Sequence, residues 1–335
     1  MKTAILGTGA YVPERVLTNA ELAERLTVAE EWITEKTRIK ERRVASPDEA
    51  TSDMGSVAAQ RALDAAEVDA ADVDLVVLAT STGDQPMPAT ACLVQARIGA
   101  LRAAAFDIDA VCTGFVYGLV TADSMLKSNP ELRTALVIGA DTYSRILDYT
   151  DRRTAILFGD GAGAVVLGKA SHGEGLLAST LGSDGTRSEY VQIMAGGSRR
   201  PPSVETVESG GHYFRMRGRD VRNLADRVFP AVVSDLLTAA RLDLSDIDMI
   251  VPHQANGAIL EDLAETLNLG PRQMHLTVEH YGNTGAASVP ITLDDAVRHG
   301  LVSTGETMVL VAFGGGMTWG GAVVRWTAPS PEGLR

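Results

Sequence analysis

Cysteine is nearly absent from this 335-residue chain. Cys92 and Cys112 alone cannot build a disulfide framework, and neither has the paired spacing of a zinc site, so a reducing compartment and no metal are expected. Long apolar runs are missing as well. The longest, within 74–79 and 308–313, fall far short of the roughly 20 residues a membrane span needs. Residues 1–9 read as a strand and a glycine turn, and they lack the basic and then apolar stretches of a secretory signal. A cytoplasmic protein with no membrane association is the expectation. Positive charge is also in deficit: 30 Lys and Arg stand against 43 Asp and Glu. The net charge of −13 argues against nucleic acid or an anionic membrane as partner, since either needs a concentrated basic face. No Ser/Pro/Gly linker interrupts the chain before the Pro-containing tail after Ala328, although 198–211 reads as a long surface loop.

What remains is ordinary globular composition, 45% hydrophobic and 22% charged. Runs rich in Val, Ile and Leu alternate with alanine-rich helical segments along the whole length, the pattern of helices packed on buried sheets, so the fold class is α/β. Residues 65–77 line up with 239–251 without a gap, each reading as a helix end, a turn and a buried strand. The pairs 135–138 with 308–311 and 163–166 with 321–324 recur in the same order, which points to an internal duplication. Two tightly fused halves are expected, residues 1–170 and 171–335, with a site between them.

Cys112 stands where a strand over 106–111 meets a helix over 113–127. There a thiol sees the positive end of the helix dipole and unpaired N–H groups, which favour a nucleophilic thiolate; the competing reading is a small buried hydrophobe. Cys92, inside a helical stretch, reads as core. A thioester-forming cysteine needs an imidazole nearby, and His253 is the one that directly follows a buried strand, where it is either functional or a satisfied core residue. His172, His212, His275, His280 and His299 lie in polar, turn-like stretches and read as solvated. Asn283, in the small-residue segment 282–288, offers an amide donor or a helix cap. The run Gly314-Gly315-Gly316 can present a backbone N–H to an oxyanion. Residues 159–163, Gly-Asp-Gly-Ala-Gly, lack the Lys-Ser/Thr of a phosphate loop and read as a tight turn between core strands.

Together, Asp109-Ala-Val-Cys112-Thr-Gly-Phe, Pro252-His253-Gln-Ala-Asn256, Gly282-Asn283-Thr-Gly-Ala-Ala-Ser and Phe313-Gly-Gly-Gly-Met-Thr-Trp319-Gly resemble the β-ketoacyl-acyl carrier protein synthase III family, over residues 1 to about 326. The resemblance implies a five-layered, internally duplicated thiolase fold and a homodimer. It makes Cys112 the acyl acceptor, His253 and Asn283 the donors to a malonyl thioester carbonyl, and the N–H groups of Cys112 and Gly315 the oxyanion hole. It implies a coenzyme A site at Trp32, Lys36, Arg152, Arg219 and Asn256, and an acyl pocket with Phe313 and with Met87 reaching across the dimer. No permanently bound cofactor is implied, only acyl-coenzyme A and a malonyl thioester as substrates.

Two departures stand out. Lys36-Thr37-Arg38 replaces the family's Arg-Thr-Gly, so phosphate contacts there are expected to be rearranged. Ala258, Glu265, Thr266 and Asn223 occupy places where the family carries basic residues that dock an acidic carrier protein, leaving Arg215, Arg217, Arg219 and Arg222 either as substitutes or as partners of the coenzyme A phosphates. The first functional expectation is therefore decarboxylative condensation of a primer acyl group with malonyl on a carrier protein or coenzyme A, in fatty acid or polyketide-type biosynthesis. The second is transfer of the Cys112 acyl group to an alcohol or amine in specialised metabolism, with His253 as general base. A non-catalytic binding subunit is disfavoured by the intact Cys112, His253 and Asn283.

Overall fold

The computed structural model describes residues 2–170 and 174–328; His172 and the tail beyond Ala328 lie outside them. Two mixed sheets form the centre. The first runs Lys2–Tyr11, Asp160–Ala170, Ala135–Thr142, Leu75–Ala79, Ala104–Ile108, and the second Gly175–Ser183, Thr318–Arg325, Thr307–Gly314, Met249–Pro252. In those orders the neighbouring pairs of both sheets are antiparallel, antiparallel, then parallel. Where the first sheet adds the parallel edge strand Ala104–Ile108, the second keeps only a parallel bridge between Ile250 and Met274. The strands aligned by sequence, 75–77 with 249–251 and 135–138 with 308–311, occupy the same places in the two sheets, so the duplication is real at the level of topology.

The strand residues explain the layering. All of Leu75–Ala79 is buried, with Leu75 and Val77 turned to one face and Val76 and Leu78 to the other. An apolar residue at every position, instead of every second one, is what a strand covered on both sides requires. The middle layer holds the helices Gly114–Ser128 and Ser288–Arg298, whose Phe115, Leu119, Val289 and Leu293 share one core with strand residues of both sheets. Helices Thr51–Ala66 and Thr90–Arg97 cover the outer face of the first sheet, and Gly218–Ala240 and Gly257–Thr266 that of the second. Five layers result, as the thiolase-like reading requires.

Several local expectations need correction. Residues 159–163 are no tight turn: Asp160–Ala170 is a continuous strand, and its glycines admit the middle layer. A Cβ on Gly163 would lie 2.7 Å from the backbone nitrogen of Ile291. The loop at 198–211 contains a short helix, Val204–Glu208, capped by the Ser203 hydroxyl. His212 and His275 are half-buried, not solvated, and His275 bonds Asp295 at 2.6 Å. Cys92 is only partly buried, its thiol facing the Ala105 carbonyl at 3.8 Å.

The Gly163 contact gives a test of which effect wins. Gly163→Ala restricts the unfolded chain, worth about 0.4–1 kcal/mol, but it forces two backbones apart, costing about 1–3 kcal/mol. We expect a lower urea midpoint with an unchanged slope; an equal or higher midpoint contradicts the packing argument.

Candidate active site

After the strand Ala104–Ile108 the chain reverses through a single 3₁₀ turn, Val111–Thr113, and only then enters the helix Gly114–Ser128. Cys112 therefore lies in that turn, two residues before the α-helix begins. The reversal is made at Val111, whose φ is +50°. A β-branched residue pays about 1–3 kcal/mol in that left-handed region. Two bonds hold it there: the Val111 N–H donates to the Asp109 carboxylate at 3.1 Å, and the Thr113 N–H to the Ala110 carbonyl at 3.1 Å. The end of the strand Thr307–Gly314 closes over the turn so tightly that a Cβ on Gly314 would stand 2.9 Å from the Cys112 nitrogen. Thr318 Oγ1 joins the two pieces, lying 3.0 Å from the Ala110 carbonyl, the Gly315 carbonyl and the Thr113 hydroxyl.

The thiol does not rest as a thiolate. Burial, with the buried Asp141 carboxyl adding to it, pushes Cys112 up to about 12. The Tyr143 hydroxyl and the Cys112 backbone N–H oppose the shift without cancelling it. Proximity to a helix N-terminus, the basis for expecting a stabilised thiolate, is outweighed here by desolvation. Asp141 is itself raised to about 7 by burial, although it accepts from Thr80 Oγ1, the Ser81 N–H, Thr82 Oγ1 and the Ala286 N–H. It thereby ties the first sheet to the segment that carries Asn283.

His253 follows the strand Met249–Pro252, and its own N–H continues the sheet by donating to the Val311 carbonyl at 2.8 Å. Its ring is 1% exposed, packs edge-on against Phe313 at 5.7 Å between centroids, and has Nδ1 2.6 Å from Ser288 Oγ. Burial lowers its pKa to about 3, so the ring is neutral. Asn283 is held by its backbone, donating to Leu157 at 2.8 Å and accepting from Gly159 at 3.0 Å. Its side-chain oxygen accepts the Gly285 N–H at 2.9 Å. Asn283 is not the helix cap, a position that falls to Thr284; its oxygen instead closes an Asx-type turn with the first N–H of the 3₁₀ turn Gly285–Ala287, and the amide nitrogen keeps its donor capacity.

Cys112, His253 and Asn283 meet at one cleft of about 750 Å³, which Phe313 and Gly315 also line. Trp32, Lys36, Arg152, Arg219 and Asn256 line the same cleft. The Arg152 guanidinium lies over the Trp32 ring, 5.6 Å from its centroid. Arg215, Arg217 and Arg222 are paired with Asp148, Glu189 and Asp262, whereas Lys36, Arg152 and Arg219 have no acidic partner among the described residues. Arg38 turns away to bond Glu261 at 2.9 Å. Met87 is not brought to this cleft: it is 80% exposed and absent from the lining. Sequence reasoning assigned no role to Ser288, Thr318 or Asp141: the first two lie inside the motif segments 282–288 and 313–320, but each acts on a partner far along the chain that the motif does not reveal, and Asp141 lies in no motif.

Comparisons with known proteins identify the family. Residues 106–185 match the family model described as 3-oxoacyl-[acyl-carrier-protein (ACP)] synthase III, and residues 237–326 match its C-terminal counterpart. The β-ketoacyl-[acyl-carrier-protein] synthase III of Caldanaerobacter subterraneus subsp. tengcongensis is 47% identical, covering 96% of this chain and 97% of its own length. That of Rhodospirillum centenum is 50% identical over 97% of this chain and 99% of its own. Among solved structures, 3-oxoacyl-(acyl carrier protein) synthase III of Pseudomonas aeruginosa superposes with a TM-score of 0.90 at 40% identity, covering 99% of this chain and 100% of that one. The priming β-ketosynthase of the R1128 polyketide biosynthetic pathway gives 0.91 at 34%, with 98% and 97% covered.

The site geometry makes two predictions. Alkylation of Cys112 by iodoacetamide, read by peptide mass spectrometry, rises steadily with pH past 9, the ordinary value for a thiol, without a plateau. A plateau at or below that pH contradicts the burial argument. Thr318→Val, which keeps the shape but not the hydroxyl, lowers kcat by about 10-fold, whereas Thr318→Ser retains it; equal rates for the two variants remove Thr318 from any positioning role.

Proposed function

This chain belongs to the 3-oxoacyl-[acyl-carrier-protein] synthase III family, and on that premise we propose that it primes Cys112 from acyl-coenzyme A and then condenses the acyl group with a malonyl thioester. The Cys112 sulfur attacks the primer carbonyl, and the negative oxygen rests on the N–H groups of Cys112 and Gly315. The bond to the coenzyme A sulfur breaks, and that sulfur leaves with the thiol proton. A malonyl thioester then binds with its carbonyl at His253 and Asn283. Its carboxylate leaves as carbon dioxide, and the electron pair moves into an enolate held by those two donors. The enolate carbon attacks the Cys112 thioester, the carbon–sulfur bond breaks, and Cys112 regains a proton. The product is a β-ketoacyl thioester, as fatty acid or polyketide-type assembly requires. No resident cofactor takes part.

One observation carries this reading: the cleft beside Cys112 is served by a neutral imidazole and an amide whose oxygen is already engaged. Two neutral donors stabilise charge that develops on an oxygen, and each is worth about 3 kcal/mol in comparable sites. The competing reading, acyl transfer to an alcohol or amine, asks His253 to take a proton, and a ring with a pKa of about 3 is a weak base for that. Lys36, Arg152 and Arg219, which have no acidic partner among the described residues, suit the phosphates of coenzyme A, and Trp32 with Arg152 suits its adenine. The coenzyme A substrate accords with a cytoplasmic setting. The edge strand Ala104–Ile108, half-exposed and with no outer strand partner among the described residues, supports a homodimer, and the 80% exposed Met87 would there serve the partner's acyl pocket. The malonyl carrier is an acyl carrier protein or coenzyme A; the internal pairing of Arg215, Arg217 and Arg222 weakens the electrostatic case for the carrier protein.

Intact-protein mass spectrometry with acyl-coenzyme A primers tests the first step. An adduct forms on the native protein and not on Cys112→Ala, and malonyl-carrier protein or malonyl-coenzyme A discharges it as a β-ketoacyl product. His253→Ala and Asn283→Ala keep the adduct but lose about 100- to 1,000-fold in condensation. An adduct inert to both malonyl donors that moves to an alcohol or amine would overturn the condensation reading.

A further inference from the structure

A neutral imidazole carries one N–H, and its position decides what His253 can do. With the proton on Nε2 the ring presents a donor to the cleft. With the proton on Nδ1 it presents a bare Nε2 lone pair, the form a general base needs. The partner of Nδ1 is Ser288 Oγ, 2.6 Å away, on the first residue of the helix Ser288–Arg298. The same oxygen accepts the Gln254 N–H at 3.3 Å. Ser288 is 1% exposed, and its hydroxyl proton has no acceptor other than His253 among the described residues.

Proton counting then separates the two states. If Ser288 donates to Nδ1, its oxygen accepts from Gln254, its proton is used, and the histidine proton must be on Nε2. If Nδ1–H donates instead, Ser288 oxygen takes two N–H groups and its own buried proton is left without an acceptor, a state disfavoured roughly 10- to 100-fold. We propose that Ser288 is a positioning residue that donates its hydroxyl proton to Nδ1 and locks His253 as the Nε2–H tautomer, a fixed hydrogen-bond donor to the cleft beside the Asn283 amide. One segment thus orients both donors, Asn283 through the Gly285 N–H and His253 through the Ser288 hydroxyl. The inference rests on the condensation reading only for what the donors act on; the tautomer is a property of the resting protein. It tells against transfer to an alcohol or amine, which requires the other tautomer.

The test is nitrogen NMR on protein labelled with ¹⁵N-histidine, with the His253 signals assigned by their loss in His253→Ala. The native protein shows a protonated Nε2 and a bare Nδ1. Ser288→Ala shifts this toward the Nδ1–H form, and Ser288→Thr restores it. In parallel, malonyl decarboxylation by Ser288→Ala falls about 100-fold in kcat with KM within about twofold, as for a catalytic histidine left in the wrong tautomer; Ser288→Thr recovers most of the rate. A native protein with Nδ1–H, or a Ser288→Ala protein with the native tautomer, overturns the proposal, and the first of these does not depend on the Ser288→Ala protein folding. A native Nε2–H form in a protein that decarboxylates neither malonyl donor leaves the tautomer assignment standing and removes the condensation reading.

Discussion

The site depends on two backbones lying closer than side chains allow. A Cβ on Gly139, in the first sheet, would stand 2.3 Å from the Ala286 carbonyl oxygen, and one on Gly314, in the second, 2.9 Å from the Cys112 nitrogen. At that separation Asp141 can accept the Ala286 N–H, and Thr318 can touch the turn that carries Cys112. The nucleophile comes from the first of the repeated units, and the histidine and asparagine from the second. Neither unit contains a site by itself, so the geometry of catalysis is set by the packing of the middle layer. Interiors this dense move by discrete rearrangement instead of gradual deformation, which makes the positions of Cys112, His253 and Asn283 mutually dependent.

Burial at that contact also sets the charge state of the site. The same loss of water raises Cys112 to about 12 and Asp141 to about 7, and lowers His253 to about 3. A neutral thiol and a neutral imidazole line the cleft, not a thiolate–imidazolium pair. That choice suits a reaction whose second step needs electron density drawn to an oxygen, because neutral donors in a dry site act on a developing enolate without first being neutralised by a nearby counter-ion.

Much of this was legible in the sequence where the information is local. Buried strands with apolar residues at every position gave the layers, and the match of 65–77 to 239–251 gave the duplication. Cys112, His253 and Asn283 stood out because each follows a strand or a glycine turn. Their support was not legible. Ser288 bonds a ring 35 positions away, and Thr318 contacts Ala110 and Thr113 across more than 200. A serine at a helix start and a threonine in a strand look ordinary until the partner is known. The misreading of 159–163 has the same origin: glycines that suggest a turn locally are small here because the helix Ser288–Arg298 presses on the strand. Desolvation was likewise invisible, so the dipole at the start of a helix was given more weight than it carries.

Charge at the rim is where this chain departs furthest from a docking surface. Arginines at 215, 217 and 222 look in sequence like a basic patch, but each spends its charge on an acid a few ångströms away. An exposed pair of this kind is worth little in stability, yet it cancels the field that a distant acidic partner would feel. Lys36, Arg152 and Arg219, without an acidic partner among the described residues, line the cleft, and Arg152 lies over the Trp32 ring. Cations lining a cleft that also holds an aromatic face match a compact, phosphate-bearing ligand with a flat base better than they match a protein surface. The long-range steering expected for a carrier protein is therefore weak on this face, and recognition of a thioester substrate here falls mainly to contacts made after it has entered the cleft.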